Sequence, residues 1–115
     1  MTEKPVLPSL REKKRYLAFE IISKSGNYPF LSVKNTILAA CNQFLGQLGM
    51  AKAGIMVLSD SFDKRKQKGL IKVNNKYVNE LKSALTLIKK INNDEVVFKS
   101  LGVSGILIKA KKYFG

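Results

Sequence analysis

The chain has 115 residues, 45% of them hydrophobic, and sets 21 Lys and Arg against eight Asp and Glu for a formal net charge of +13 and a pI near 10.0. That length supports one domain around one core and excludes two independent ones. With no histidine and a single cysteine, the chain lacks the commonest general base, cannot close an internal disulfide, and cannot build a structural zinc site from thiolates. The excess of cations points first to nucleic acid, with an anionic membrane surface, an acidic protein or simple solubility as the other readings.

In chain order, residues 1–10 hold two prolines among mixed polarity and read as an extended, flexible arm. This stretch, "MTEKPVLPSL", lacks the positive flank and long apolar core of a secretory signal, and no apolar run reaches the ~18 residues of a membrane span, so a cytoplasmic location without membrane attachment is expected. From Arg15 to Ser23 the pattern alternates, Leu17, Phe19 and Ile21 facing one way and Tyr16, Ala18, Glu20 and Ile22 the other, which predicts a first strand. "KSGNYP" carries turn chemistry. Val33, Ile37, Ala40, Cys41, Phe44 and Leu48 then recur at helical spacing, widened by Leu31, Leu38 and Leu45, with Ser32 as N-cap and Gly49 as stop.

"GIMVLS" (54–59) predicts a second strand, and "DSFDKRKQKG" a hairpin-like connection into a third, "LIKVNN", with Ile71 and Val73 on one face and Leu70 and Lys72 on the other. Asn74 and Asn75 offer capping chemistry for a second helix through Val78, Leu81, Ala84, Leu85, Ile88 and Ile91, ended by Asn92, Asn93 and Asp94. "EVVFKSLGV" predicts a fourth strand, and "SGILIKAKKYFG" a short basic helix at the end. The order βαββαβ predicts an α+β, ferredoxin-like or RRM-like sandwich. Its expected form is a four-stranded antiparallel sheet with two long helices on one face and a short C-terminal helix, built from residues 11–115 as a single RNA-binding domain.

Catalytic ingredients are poor. Asp60 and Asp63 lie three apart but in a polar connection followed at once by cations, which reads as a solvated turn, and "SKSGN" lacks the glycine spacing of a phosphate-binding loop. Two basic runs remain: Arg11, Lys13, Lys14 and Arg15 before the first strand, and Lys64, Arg65, Lys66 and Lys68 before the third. Either is a candidate phosphate contact or a solvated flank that keeps strand ends soluble. Because the first and third strands should be antiparallel neighbours, the runs are expected at opposite ends of the sheet. "KGLIKVNN" keeps Lys68 and Gly69 but puts Leu70 and Val73 where an RNA recognition motif carries stacking aromatics. Eighteen lysines and three arginines likewise favour recognition of RNA backbone and shape over base reading.

Four stretches, "LREKKRYLAFEI" (10–21), "FLGQLGMAKAGI" (44–55), "GLIKVNNKYVNELKSALTLI" (69–88) and "LGVSGILIKAKKYF" (101–114), resemble in order and spacing the archaeal ribonuclease P protein component 2 family, related to a small eukaryotic subunit shared by ribonucleases P and MRP. One departure is Ile106, where the family pattern has threonine after Ser104 and Gly105. The resemblance implies a noncatalytic subunit of an endoribonuclease, the ribonucleoprotein that removes 5′ leaders from precursor tRNA. Its RNA holds the magnesium and performs the hydrolysis, so the protein itself binds no cofactor. The implied partners are the ribonuclease P RNA, precursor tRNA within the complex, protein component 3 in a heterotetramer, and other protein subunits. A general structured-RNA-binding or assembly protein of ferredoxin-like fold is the alternative.

Overall fold

The computed structural model describes residues 13–24, 26–106, 109, 110 and 112. The arm expected at 1–10, the candidate Arg11, and much of the expected terminal helix lie outside these residues.

The first strand, β1 (Lys14–Ser23), follows the alternation in its sequence. Leu17, Phe19 and Ile21 enter the main core, and Ala18 enters a smaller cluster on the opposite face. Helix α1 (Phe30–Ala53) begins after the extended backbone of Pro29, so Ser32 is not its N-cap but sits in its first turn, accepting the Thr36 Oγ1 hydroxyl at its carbonyl at 2.8 Å. Nor does Gly49 stop it. The helix breaks at Gly46, with φ 74° and ψ 176°, a conformation essentially reserved for glycine, and ends at Gly54, whose left-handed backbone lets its N–H donate to the Met50 carbonyl. The break ends the regular projection on which Leu48 was placed in the apolar stripe. Val33, Ile37 and Cys41 are buried, whereas Phe44 is 45% and Leu48 70% exposed.

Strand β2 (Met56–Val57) is shorter than expected and pairs with β3 (Lys68–Asn74). A 3₁₀ turn (Asn75–Tyr77) follows, capped as expected by Asn74, whose side-chain oxygen accepts the Lys76 N–H at 3.0 Å. Helix α2 (Val78–Thr86) is nine residues long and stops short of the predicted end. Leu87 and Ile88 tighten its last turn by donating to the carbonyls three residues back, and the chain then reverses through β4 (Lys90–Ile91) into β5 (Asp94–Ser104). Asn92 and Asn93, at φ 51° and 71°, form the two-residue hairpin loop. Positive φ at both central residues is what such a loop requires, and asparagine tolerates it.

The sheet therefore has five strands where four were expected, in the order β2-β3-β1-β5-β4, with every neighbouring pair antiparallel. Side chains of α1 (Val33, Ile37, Cys41) and α2 (Leu81, Ala84, Leu85) share one core with Leu17, Phe19, Ile71, Val73 and Phe98, and the Phe19 and Phe98 rings stack at 5.8 Å. Full burial of each large apolar side chain contributes about 1.5–3 kcal/mol. A bulge in β5 opposite Ala18 and Phe19 resets the alternation, so that Phe98 and Val103 both face this core while Leu101 turns to the other side. There Ala110 packs with Ala18 and Leu70. Ala18 and its register partner Gly102 are small enough to admit it.

Candidate nucleic-acid interface

The β1–β3 ladder positions the described residues of both basic runs. Lys14 pairs with Asn74 and Glu20 with Lys68, so the six-residue step along β1 separates the two ends by roughly 20 Å. The clusters lie at opposite ends, as antiparallel pairing demands.

At the first end, Lys13 and Lys14 are exposed and Arg15 is half-buried. The Arg15 guanidinium lies against Gly105, just past the end of β5, and a Cβ on that glycine would collide with it. Lys14 Nζ hangs over Gly54, where a Cβ would come within 2.7 Å of it. The ammonium thus also faces the negative, C-terminal end of α1. Asn75 N–H donates to the Lys13 carbonyl at 2.7 Å, which brings the exposed Lys76 beside this cluster. Lys72 stands opposite both Tyr16 and Met56 in the sheet. Neither lysine belongs to a basic run in the sequence, and only the strand register places them here. Tyr16 is half-buried and packs against the Ala18, Leu70 and Ala110 cluster.

At the second end, Asp63 and Lys68 close the loop by exchanging backbone hydrogen bonds at 2.8 and 3.3 Å. Between them Asp63 Oδ1 accepts the N–H groups of Arg65 and Lys66, each at 3.0 Å. Asp63 is therefore the organiser of a turn, and the inward direction of those donors leaves the Lys64, Arg65 and Lys66 side chains exposed. Lys68 is half-buried. Exposed Lys24 follows β1 at this same end, and Lys99, also exposed, pairs across the sheet with Glu20.

Cys41 is free and fully buried, and desolvation pushes its thiol up from an ordinary 9.0 to about 11, which keeps it protonated and unreactive at neutral pH. Among the described residues no cluster of three or more Cys, Asp or Glu is arranged to hold a metal ion, and no helix is long and apolar enough to cross a membrane. Fixed positive charge at two separated places, on a frame that holds each in register, can neutralise phosphates along a path across the domain.

A sequence profile of the Rpp14/Pop5 family matches residues 15–115. The chain is similar to ribonuclease P protein component 2 of Thermococcus gammatolerans, at 43% identity over 99% of this chain and 94% of that protein, and to its counterpart in Thermococcus kodakarensis at 40% over the same shares. Ribonuclease P protein component 2 of Methanosarcina acetivorans is 37% identical over 96% of this chain and 80% of its own length. Among solved structures, a chain in the cryo-EM structure of yeast ribonuclease MRP has a similar fold, with a TM-score of 0.65 over 90% of this chain and 86% of that one at 12% identity. On the extent of the profile match and the near full-length identity to these relatives, the chain belongs to the Rpp14/Pop5 family.

Proposed function

We propose that this chain is a noncatalytic protein subunit of ribonuclease P that binds and stabilises the catalytic RNA while the RNA removes 5′ leaders from precursor tRNA. The subunit role is supported by the relatives that carry the name ribonuclease P protein component 2 across nearly their whole length. The noncatalytic role is supported by what the chain offers chemically: no histidine, a buried thiol held protonated, and an aspartate committed to a turn. The observation that carries the RNA-binding reading is the pair of cation clusters held at opposite ends of one ladder, Lys13, Lys14 and Arg15 at one and Lys64, Arg65, Lys66 and Lys68 at the other. Arg11 extends the first cluster in the sequence.

These cations neutralise phosphates where helices of the folded RNA crowd together, which lowers the magnesium the RNA needs, and magnesium acts through the RNA alone. The sheet order, read without the two-residue β4, supports a ferredoxin-like layout for the single RNA-binding domain that starts near residue 11. Exposed Phe44 and Leu48 on α1 support a protein-facing surface for component 3 within a heterotetramer, whereas Leu45 and Met50 pack largely against the core. The complex works in the cytoplasm.

Reconstitution of cleavage with the RNA and component 3, with and without this chain across a magnesium series, tests the proposal. Omitting the chain raises the magnesium requirement; an unchanged requirement overturns it. A general structured-RNA binder, by contrast, would hold unrelated folded RNAs as tightly as ribonuclease P RNA.

A further inference from the structure

We infer that Gln67 is the positioning residue of the second phosphate-binding cluster: its carboxamide locks the 64–68 loop onto the segment between β1 and α1, so that Lys64, Arg65 and Lys66 meet RNA as a fixed set. The inference rests on the reading that those three cations contact phosphates.

Three consecutive residues ending in a mobile loop tip would repel one another and pay ordering entropy on every phosphate they engaged. Here that cost is met in the free protein. Gln67 is only 5% exposed, and every polar atom of its side chain is used. Its Oε1 accepts the Tyr28 N–H at 3.1 Å, while its Nε2 donates to the Tyr28 carbonyl at 3.1 Å and to the Lys64 carbonyl at 2.7 Å. Its own carbonyl accepts the Ile21 N–H at 2.8 Å, which ties the same residue to β1. Gln67 thereby joins the first residue of the basic tip to Tyr28, 39 residues before Gln67 itself, and, through its backbone carbonyl, to the strand that carries the other cluster.

A second tie runs beside it. Phe62, at the base of the loop, packs its ring 5.8 Å from that of Phe30 at the start of α1. The side-chain chemistry admits few substitutes. Glutamate would bring a buried charge and no donor for either carbonyl, and a leucine would leave the Tyr28 N–H and C=O unpaired. The backbone of Gln67 also stands at φ 55°, which a free loop gains nothing by adopting and which the clamp holds.

A double-mutant cycle on binding to ribonuclease P RNA tests this. Its corners are the wild-type chain, Gln67→Gly, the triple variant Lys64→Gln/Arg65→Gln/Lys66→Gln, and the quadruple combination. Glycine accepts the backbone conformation while removing the clamp. Gln67→Asn, which keeps an amide one methylene shorter, repeats the cycle should the glycine variant fold poorly. Gln67→Gly should weaken binding roughly three- to tenfold in the wild-type background and have no further effect once the three charges are gone. An equal loss in both backgrounds makes Gln67 a purely structural residue and overturns the inference, as does a loss confined to the triple variant. If the triple variant itself binds like wild type, the phosphate-contact reading of this loop fails first, and the positioning role falls with it.

Discussion

At one end of the β1–β3 ladder Lys13, Lys14 and Arg15 ride on or beside a strand, and at the other Lys64, Arg65 and Lys66 ride on a loop. The strand needs no special device, because ladder hydrogen bonds and the two-residue alternation already fix where each side chain leaves the backbone. The loop has no such repeat. It is held instead by individual polar groups: Asp63 binding the backbone of Arg65 and Lys66, and Gln67 binding Tyr28 and Lys64. Two places of the same charge are thus built at different cost, one from periodic structure and one from a few side chains whose hydrogen-bonding chemistry admits few substitutes.

The largest effect should come from the frame common to both ends. Phe19 is fully buried on β1 between them, and Phe19→Ala should cost about 3–5 kcal/mol in urea unfolding and weaken both clusters together. A loss below about 1 kcal/mol would mean that the ends do not depend on a shared core. Next come the charges themselves. Removing either set, Lys13→Gln/Lys14→Gln/Arg15→Gln or Lys64→Gln/Arg65→Gln/Lys66→Gln, should lower affinity for ribonuclease P RNA roughly tenfold to a hundredfold at moderate salt. The separation along β1 makes the two losses multiply when combined, and marked non-additivity in a filter-binding or fluorescence titration would show that the clusters act as one site.

Smaller effects lie away from the ladder ends. Asn93→Ala, at φ 71° in the β4–β5 hairpin, should cost about 1 kcal/mol in unfolding without changing RNA affinity. Smallest of all at neutral pH is the contribution of Cys41. Burial disfavours only the thiolate, so this group leaves stability unchanged below the ordinary value of 9.0 and lowers it as the pH rises from there toward about 11. At pH 8 a thiol reagent should label the native chain far more slowly than the urea-unfolded one. Equal rates would place the thiol at the surface.

What could be read in the sequence was what repeats locally. The alternation of Leu17, Phe19 and Ile21 and of Leu70, Ile71 and Val73 assigns each residue to the face on which the structure finds it. The basic runs, being contiguous, were equally plain, and antiparallel pairing was enough to separate them. Ile88 and Ile91 misled because a spacing of three satisfies a helix as well as the turn and hairpin they in fact occupy. The bulge at Leu101 leaves no compositional mark. Gln67 was invisible for a different reason: its partner Tyr28 lies 39 residues away, and a lone glutamine inside a charged run carries no signal of burial.

The central claim is that this ribonuclease P subunit offers its RNA two independent sets of phosphate-binding cations. The slope of log Kobs against log salt for ribonuclease P RNA, measured for the wild-type chain and for the two triple variants, tests it most directly. The slope should be steep for wild type and fall by about two to three with each triple variant. A slope that is flat in the wild type, or unchanged by either substitution, would contradict the account.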